Sequence, residues 1–133
     1  MRAALAAVIF ALLAAVPVAA SRGSTTPNLR SAAADHRHVV VVFTLGTEMV
    51  PGKIVVASRG TIGPGGEVTP GTVRVSEQLR PTATSAGYRA RTRARLPRGR
   101  WYVQVSAMTL GLDCTPHKPC KPSWSNVRAV RIR

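Results

Sequence analysis

Apolar residues along this chain fall into short runs separated by turn residues. The first run is different. Residues 3–15 are uniformly apolar after a single basic residue, Arg2. Beyond Pro17 the pattern changes to β-branched runs of strand length. Residues 38–45 (His-Val-Val-Val-Val-Phe-Thr-Leu) and 53–58 (Lys-Ile-Val-Val-Ala-Ser) are too short for globular helices and rich in Val. Residues 46–52, with Pro51 and Gly52, read as a turn between them. Residues 60–71 hold five Gly and two Pro and read as a long loop, followed by a short edge strand at 72–76 and a second loop at 79–87.

The clearest alternation lies at 88–96. Tyr88, Ala90, Thr92, Ala94 and Leu96 alternate with Arg89, Arg91, Arg93 and Arg95. A period of two predicts a strand with one buried and one wet face. Pro97-Arg98-Gly99 turns the chain, and residues 101–107 alternate again with Trp101, Val103, Val105 and Ala107 on one face. The last strand is expected at 127–132. There Val127 and Ala129 are out of phase with Val130 and Ile132, which predicts a bulge near Arg128. No helical periodicity follows the first segment. Several short strands with Gly/Pro turns predict an all-β fold, an antiparallel two-sheet β-sandwich.

Four patches carry a family resemblance. They are Pro27-Asn28-Leu29-Arg30, Val41-Val42-Phe43-Thr44, the stretch from Leu96-Pro97-Arg98-Gly99 through Trp101-Tyr102-Val103-Gln104-Val105, and Ser123-Trp124-Ser125-Asn126-Val127. In order and character they resemble the first, second, penultimate and last strands of a fibronectin type III domain. The resemblance runs from Pro27 to Arg133. It implies a fibronectin type III-like sandwich with Phe43 where the family carries a core Trp, and a binding or spacer module without catalysis. The turn before the aromatic is one residue short, so Trp101 or Tyr102 takes the place of the corner tyrosine, and the in-phase alternation favours Trp101. A Trp has no hydroxyl with which to make the corner hydrogen bond.

The opening segment reads as a helical signal peptide over residues 1–20, with small residues at Val18 and Ala20 that set cleavage before Ser21. An uncleaved anchor is the rival, but the apolar run is short of the ~20 residues a span needs. Residues 21–26 then form a flexible leader and 27–133 the sandwich. The expected protein is secreted, with no transmembrane anchor after cleavage. Export implies an oxidising compartment, so Cys114 and Cys120 are expected to form a disulfide. The ring between them is small, and such a bridge contributes about 2–2.5 kcal/mol. A metal site on Cys114, His117 and Cys120 is the sharper alternative, but it lacks a fourth ligand and the zinc-type spacing.

Charge narrows the partners. Lys and Arg number 19 against 5 acids; without Arg2 the balance is 18 against 5, a net of +13. Such a field attracts anionic polymers or surfaces. A coding bias towards Arg, Ala and Val produces the same composition without a partner. The row Arg89, Arg91, Arg93, Arg95 on one extended strand spans about 20 Å, with Arg98 and Arg100 beyond it. Guanidinium forks at that pitch suit phosphate, sulfate or carboxylate groups along a polymer. Neighbouring charges about 7 Å apart repel by only about 0.6 kcal/mol in water, so a solvated face explains the row without a ligand. Nucleic acid is disfavoured by export and by scarce aromatics, with only Tyr102 and Trp124 as stacking platforms.

Enzymatic signals are weak. His36 and His38 form a His-x-His pair at a strand start, but third ligands among Asp35, Asp113 and His117 cannot be assigned by spacing. No nucleophile elbow, zincin motif or phosphate-cradling glycine loop occurs, and no cofactor or metal is implied. Two readings stand. One is a binding or adhesion module whose basic face meets an anionic envelope or extracellular polymer. The other is a structural or inhibitor-like β-domain that meets a protein through the stapled loop at 108–122.

Overall fold

The β-branched runs pair as their alternation demands. A computed structural model describes residues 26–110 and 120–133 and contains nine strands. β1 (Asn28–Asp35), β2 (His38–Thr44), β5 (Thr82–Thr84) and β6 (Gly87–Arg91) form one antiparallel sheet in the order β1-β2-β6-β5. β3 (Met49–Ala57), β4 (Val73–Gln78), β7 (Gly99–Thr109) and β8 (Ser123–Trp124) form the other in the order β4-β3-β7-β8, with β9 (Arg128–Ile132) also paired to β7. The all-β, two-sheet antiparallel expectation holds. The segment at 1–20, nearly all of the leader at 21–26, and Asp113, Cys114 and His117 lie outside the described residues.

The inner faces meet in one core. Val39, Val41 and Phe43 of β2, Ala90 of β6 and Leu29 of β1 pack against Ile54, Val56, Val103, Val105, Val130 and Ile132 of the opposite sheet. Phe43 is fully buried and stacks on Tyr88 with ring centroids 5.7 Å apart. The predicted inward face of β7 is confirmed, with Val103, Val105 and Ala107 fully buried and Trp101 packed against the core. The Trp101 indole supplies what its missing hydroxyl cannot: Nε1 donates to the Pro97 carbonyl at 2.8 Å. Asn126 ties the sheets at their shared edge. Its side chain accepts from the Leu29 N–H at 2.8 Å and donates to the Leu29 carbonyl at 3.0 Å, standing in for a strand partner.

Several boundaries differ from the sequence reading. β3 begins at Met49, so Pro51 and Gly52 lie inside a strand. They sit where the β3–β7 register shifts between Pro51 and Ile54, a bulge that tolerates proline's missing N–H. The predicted loop at 79–87 contains β5, a three-residue edge strand too short to read from alternation. The bulge expected near Arg128 is absent, since β9 pairs evenly with β7. The slip falls earlier. Ser106 faces Trp124 while Val103 faces Arg128, so the paired numbers total 230 at β8 and 231 at β9. Val127, out of phase with Val130, packs into a second small cluster with Val55, Ala57, Val68, Val73 and Trp124.

That second cluster lies on the outer face of the β4-β3-β7 sheet. The glycine-rich segment folds over it as a miniature hairpin, with Ile62 bridged to Val68 and the Gly63 N–H bonded to Glu67 O. Gln104 fastens it down. Fully buried on β7, its Oε1 accepts from the Val68 N–H at 3.0 Å, and its Nε2 donates to Gly66 O at 2.7 Å and Ser125 O at 2.8 Å.

Candidate functional site

The arginine alternation does not run as one strand. β6 ends at Arg91, where groups from other strands take over its pairing. Thr92 is buried, and its Oγ1 instead of its carbonyl accepts the Val39 N–H at 3.0 Å. The Thr92 carbonyl lies 3.0 Å from His38 Nδ1. The chain then bends at Arg93 and Ala94, whose N–H groups donate to the two carboxylate oxygens of Glu77, each at 2.8 Å. Ala94, expected inside, is exposed; Leu96 is fully buried, as expected. The expectation of one strand over 88–96 is thus corrected to Gly87–Arg91 plus a pinned bend.

All six arginines of interest are exposed, but they divide among four places. Arg89 and Arg91 project from the outer face of the β1-β2-β6-β5 sheet. Register places Ser31, Val42, Arg89 and Thr82 in one row across that face, and Ala33, Val40 and Arg91 in the next. Arg93 and Arg95 follow on the bend, and Arg98 on the turn before β7. Arg100 faces Arg131 on the other sheet. Arg91 Nε donates to Asp35 Oδ2 at 3.1 Å; the Arg89 side chain makes no ion pair among the described residues.

Among the described residues the histidine pair gathers no third metal ligand; Asp113 and His117 lie outside them. His36 occupies the β1–β2 turn at φ 58°, and its side chain is 89% exposed. His38 is committed to Thr92, and Asp35 to Arg91. Among the described residues no three His, Cys, Asp or Glu side chains gather as a metal-binding group. Of the cysteine pair only Cys120 is described, and no cysteine among the described residues is free. Tyr102 is half-buried and packs beside Gly60; Trp124 is half-buried in the second cluster.

A further feature escaped the sequence reading. Where the glycine-rich hairpin overhangs the outer face of the second sheet, it leaves a cleft of about 490 Å³. Val55, Val68, Val73, Met108 and Trp124 supply apolar walls, and Lys53, Glu67, Gln78 and Ser106 supply polar groups. These residues come from five separate segments, so no local motif could have announced them. No family model matches the chain, and no curated protein or solved structure matches it.

Proposed function

We propose that this protein is a secreted, non-catalytic binding module with a fibronectin type III-like sandwich, and that its basic face engages an anionic envelope or extracellular polymer. The strand order supports the fold type: β1-β2-β6 opposes β4-β3-β7-β9, and the Trp101 indole bonds back to Pro97 where the family uses a corner tyrosine. The non-catalytic reading rests on the absence of any nucleophile or metal-ligand motif in the sequence.

One observation carries the polymer reading. Arg89 and Arg91 stand on an outer sheet face that no other element among the described residues covers, flanked in register by small or β-branched residues, Ser31, Ala33, Val40, Val42 and Thr82. A low-relief surface bearing guanidinium forks suits a repeating anionic chain. Arg93 and Arg95 extend it along a bend held by Glu77. The test is binding of the exported protein to the producing cell's envelope fraction across a salt series, beside a variant with Arg89, Arg91, Arg93 and Arg95 all changed to Ser. The expected outcome is wild-type binding that falls as salt rises, and no binding by the folded variant. Equal binding by both proteins overturns the proposal.

A second reading is favoured by the cleft. Met108 and Pro122 border it, and they flank the segment expected to be stapled by Cys114 and Cys120. A protein partner held there would bind with little salt dependence and would be lost on Cys114→Ser.

A further inference from the structure

The cleft over the second sheet has a floor, a roof and unspent polar groups. Its floor is a row across four strands: Gln78 of β4 faces Lys53 of β3, and Ser106 of β7 faces Trp124 of β8. Its roof is the hairpin segment bearing Glu67 and Val68, held in place by the buried Gln104. A hairpin anchored by two hydrogen bonds to one fully buried side chain makes a rigid wall, and a preformed concave wall is what small-ligand sites require.

The polar groups are arranged by charge. Ser106 is 3% exposed; its Oγ accepts the Lys53 N–H at 2.8 Å, which leaves the hydroxyl hydrogen to point elsewhere. Lys53, an exposed residue, lines the same cleft and brings a cationic side chain to it. Together these are donors for an anionic group. Glu67 is half-buried in the roof beside Trp124 and Lys121, and forms no salt bridge among the described residues. That is notable in a chain with only 5 acids. Of the others, Asp35 holds Arg91 and Glu77 holds the Arg93–Ala94 bend. Glu67 offers a carboxylate beside an indole, a combination that accepts an ammonium group. Lys53 and Glu67 line one cleft without forming an ion pair with each other, because one rides on a strand and the other on a hairpin fixed by Gln104.

We infer that this cleft binds a zwitterionic apolar ligand of about dipeptide size, with its carboxylate at Lys53 and Ser106, its ammonium at Glu67, and its apolar body on Val55, Val68 and Trp124. The volume of about 490 Å³ falls within the range of small-molecule sites. This inference is independent of the arginine face, which lies on the other sheet.

The test is a protein-observed NMR titration of the purified protein with the dipeptide Leu-Phe, its N-acetyl derivative and its C-terminal amide. Leu-Phe is expected to shift the amides of Lys53, Val68 and Ser106 and the indole N–H of Trp124. Loss of either terminal charge is expected to weaken binding about three- to tenfold. Glu67→Gln should abolish the preference for the free amine only, and Lys53→Met the preference for the free carboxylate only. Spectra of both variants away from the cleft report whether they remain folded. No shifts at these four residues up to millimolar dipeptide would overturn the inference. So would equal affinity for all three compounds, or charge preferences that survive both substitutions.

Discussion

Gln104 shows how much one buried polar residue organises. It occupies an outward position on β7, where alternation alone predicts a wet side chain, yet it is fully buried beneath the glycine-rich hairpin. Replacement by Leu keeps its bulk but strips partners from Val68 N–H, Gly66 O and Ser125 O. Buried groups left unpaired are costly, so Gln104→Leu is expected to lose about 3 kcal/mol in urea unfolding. A loss below about 1 kcal/mol would mean that water enters and replaces the amide. Trp101→Phe keeps an aromatic on the core but removes the donor to Pro97. It should cost about 1–2 kcal/mol by the same measurement. The sequence pointed to Trp101 as the inward aromatic. It could not show that the indole N–H lies within reach of Pro97, because that depends on how the turn is wound.

At the scale of elements, strand existence was legible and strand ends were not. The Val-rich runs of β2 and β3 and the alternation of β7 announce themselves, since β-branched residues packed on one face have few other homes. The end of β6 is set by distant groups: Thr92 trades its carbonyl for its hydroxyl in the ladder, and Glu77 takes two N–H groups that a continued strand would have paired. Glu77→Ala is expected to cost about 1–2 kcal/mol and to accelerate amide exchange at Arg93 and Ala94 most of all. Unchanged exchange there would show that the bend holds itself. The β3 bulge is likewise a tertiary matter. A Cβ on Gly52 would stand 2.5 Å from Ser106 Oγ. Gly52→Ala should therefore destabilise by about 1–3 kcal/mol. Adding Ser106→Ala should recover part of that loss, a coupling that a double-mutant cycle reads directly.

For the molecule as a whole, charge and stability separate. The arginines on the first sheet and its bend are exposed, and the Arg91–Asp35 pair is close to half exposed on both sides. Exposed pairs contribute about 0–1 kcal/mol, so changing Arg89, Arg91, Arg93 and Arg95 to Ser is expected to leave the unfolding free energy within about 1 kcal/mol of wild type. A larger loss would place these side chains in the packing and not on a free face. The sequence by itself determined the all-β class, the inward residues of β7, and the strongly basic composition, because each follows from local periodicity or residue content. Only the tertiary structure decided that the arginine row bends after Arg91, that Val127 belongs to a second cluster, and that Lys53, Glu67, Ser106 and Trp124 border one cleft. Those facts depend on contacts between residues far apart in the chain, and a period of two along a strand carries no information about which distant group will meet its end.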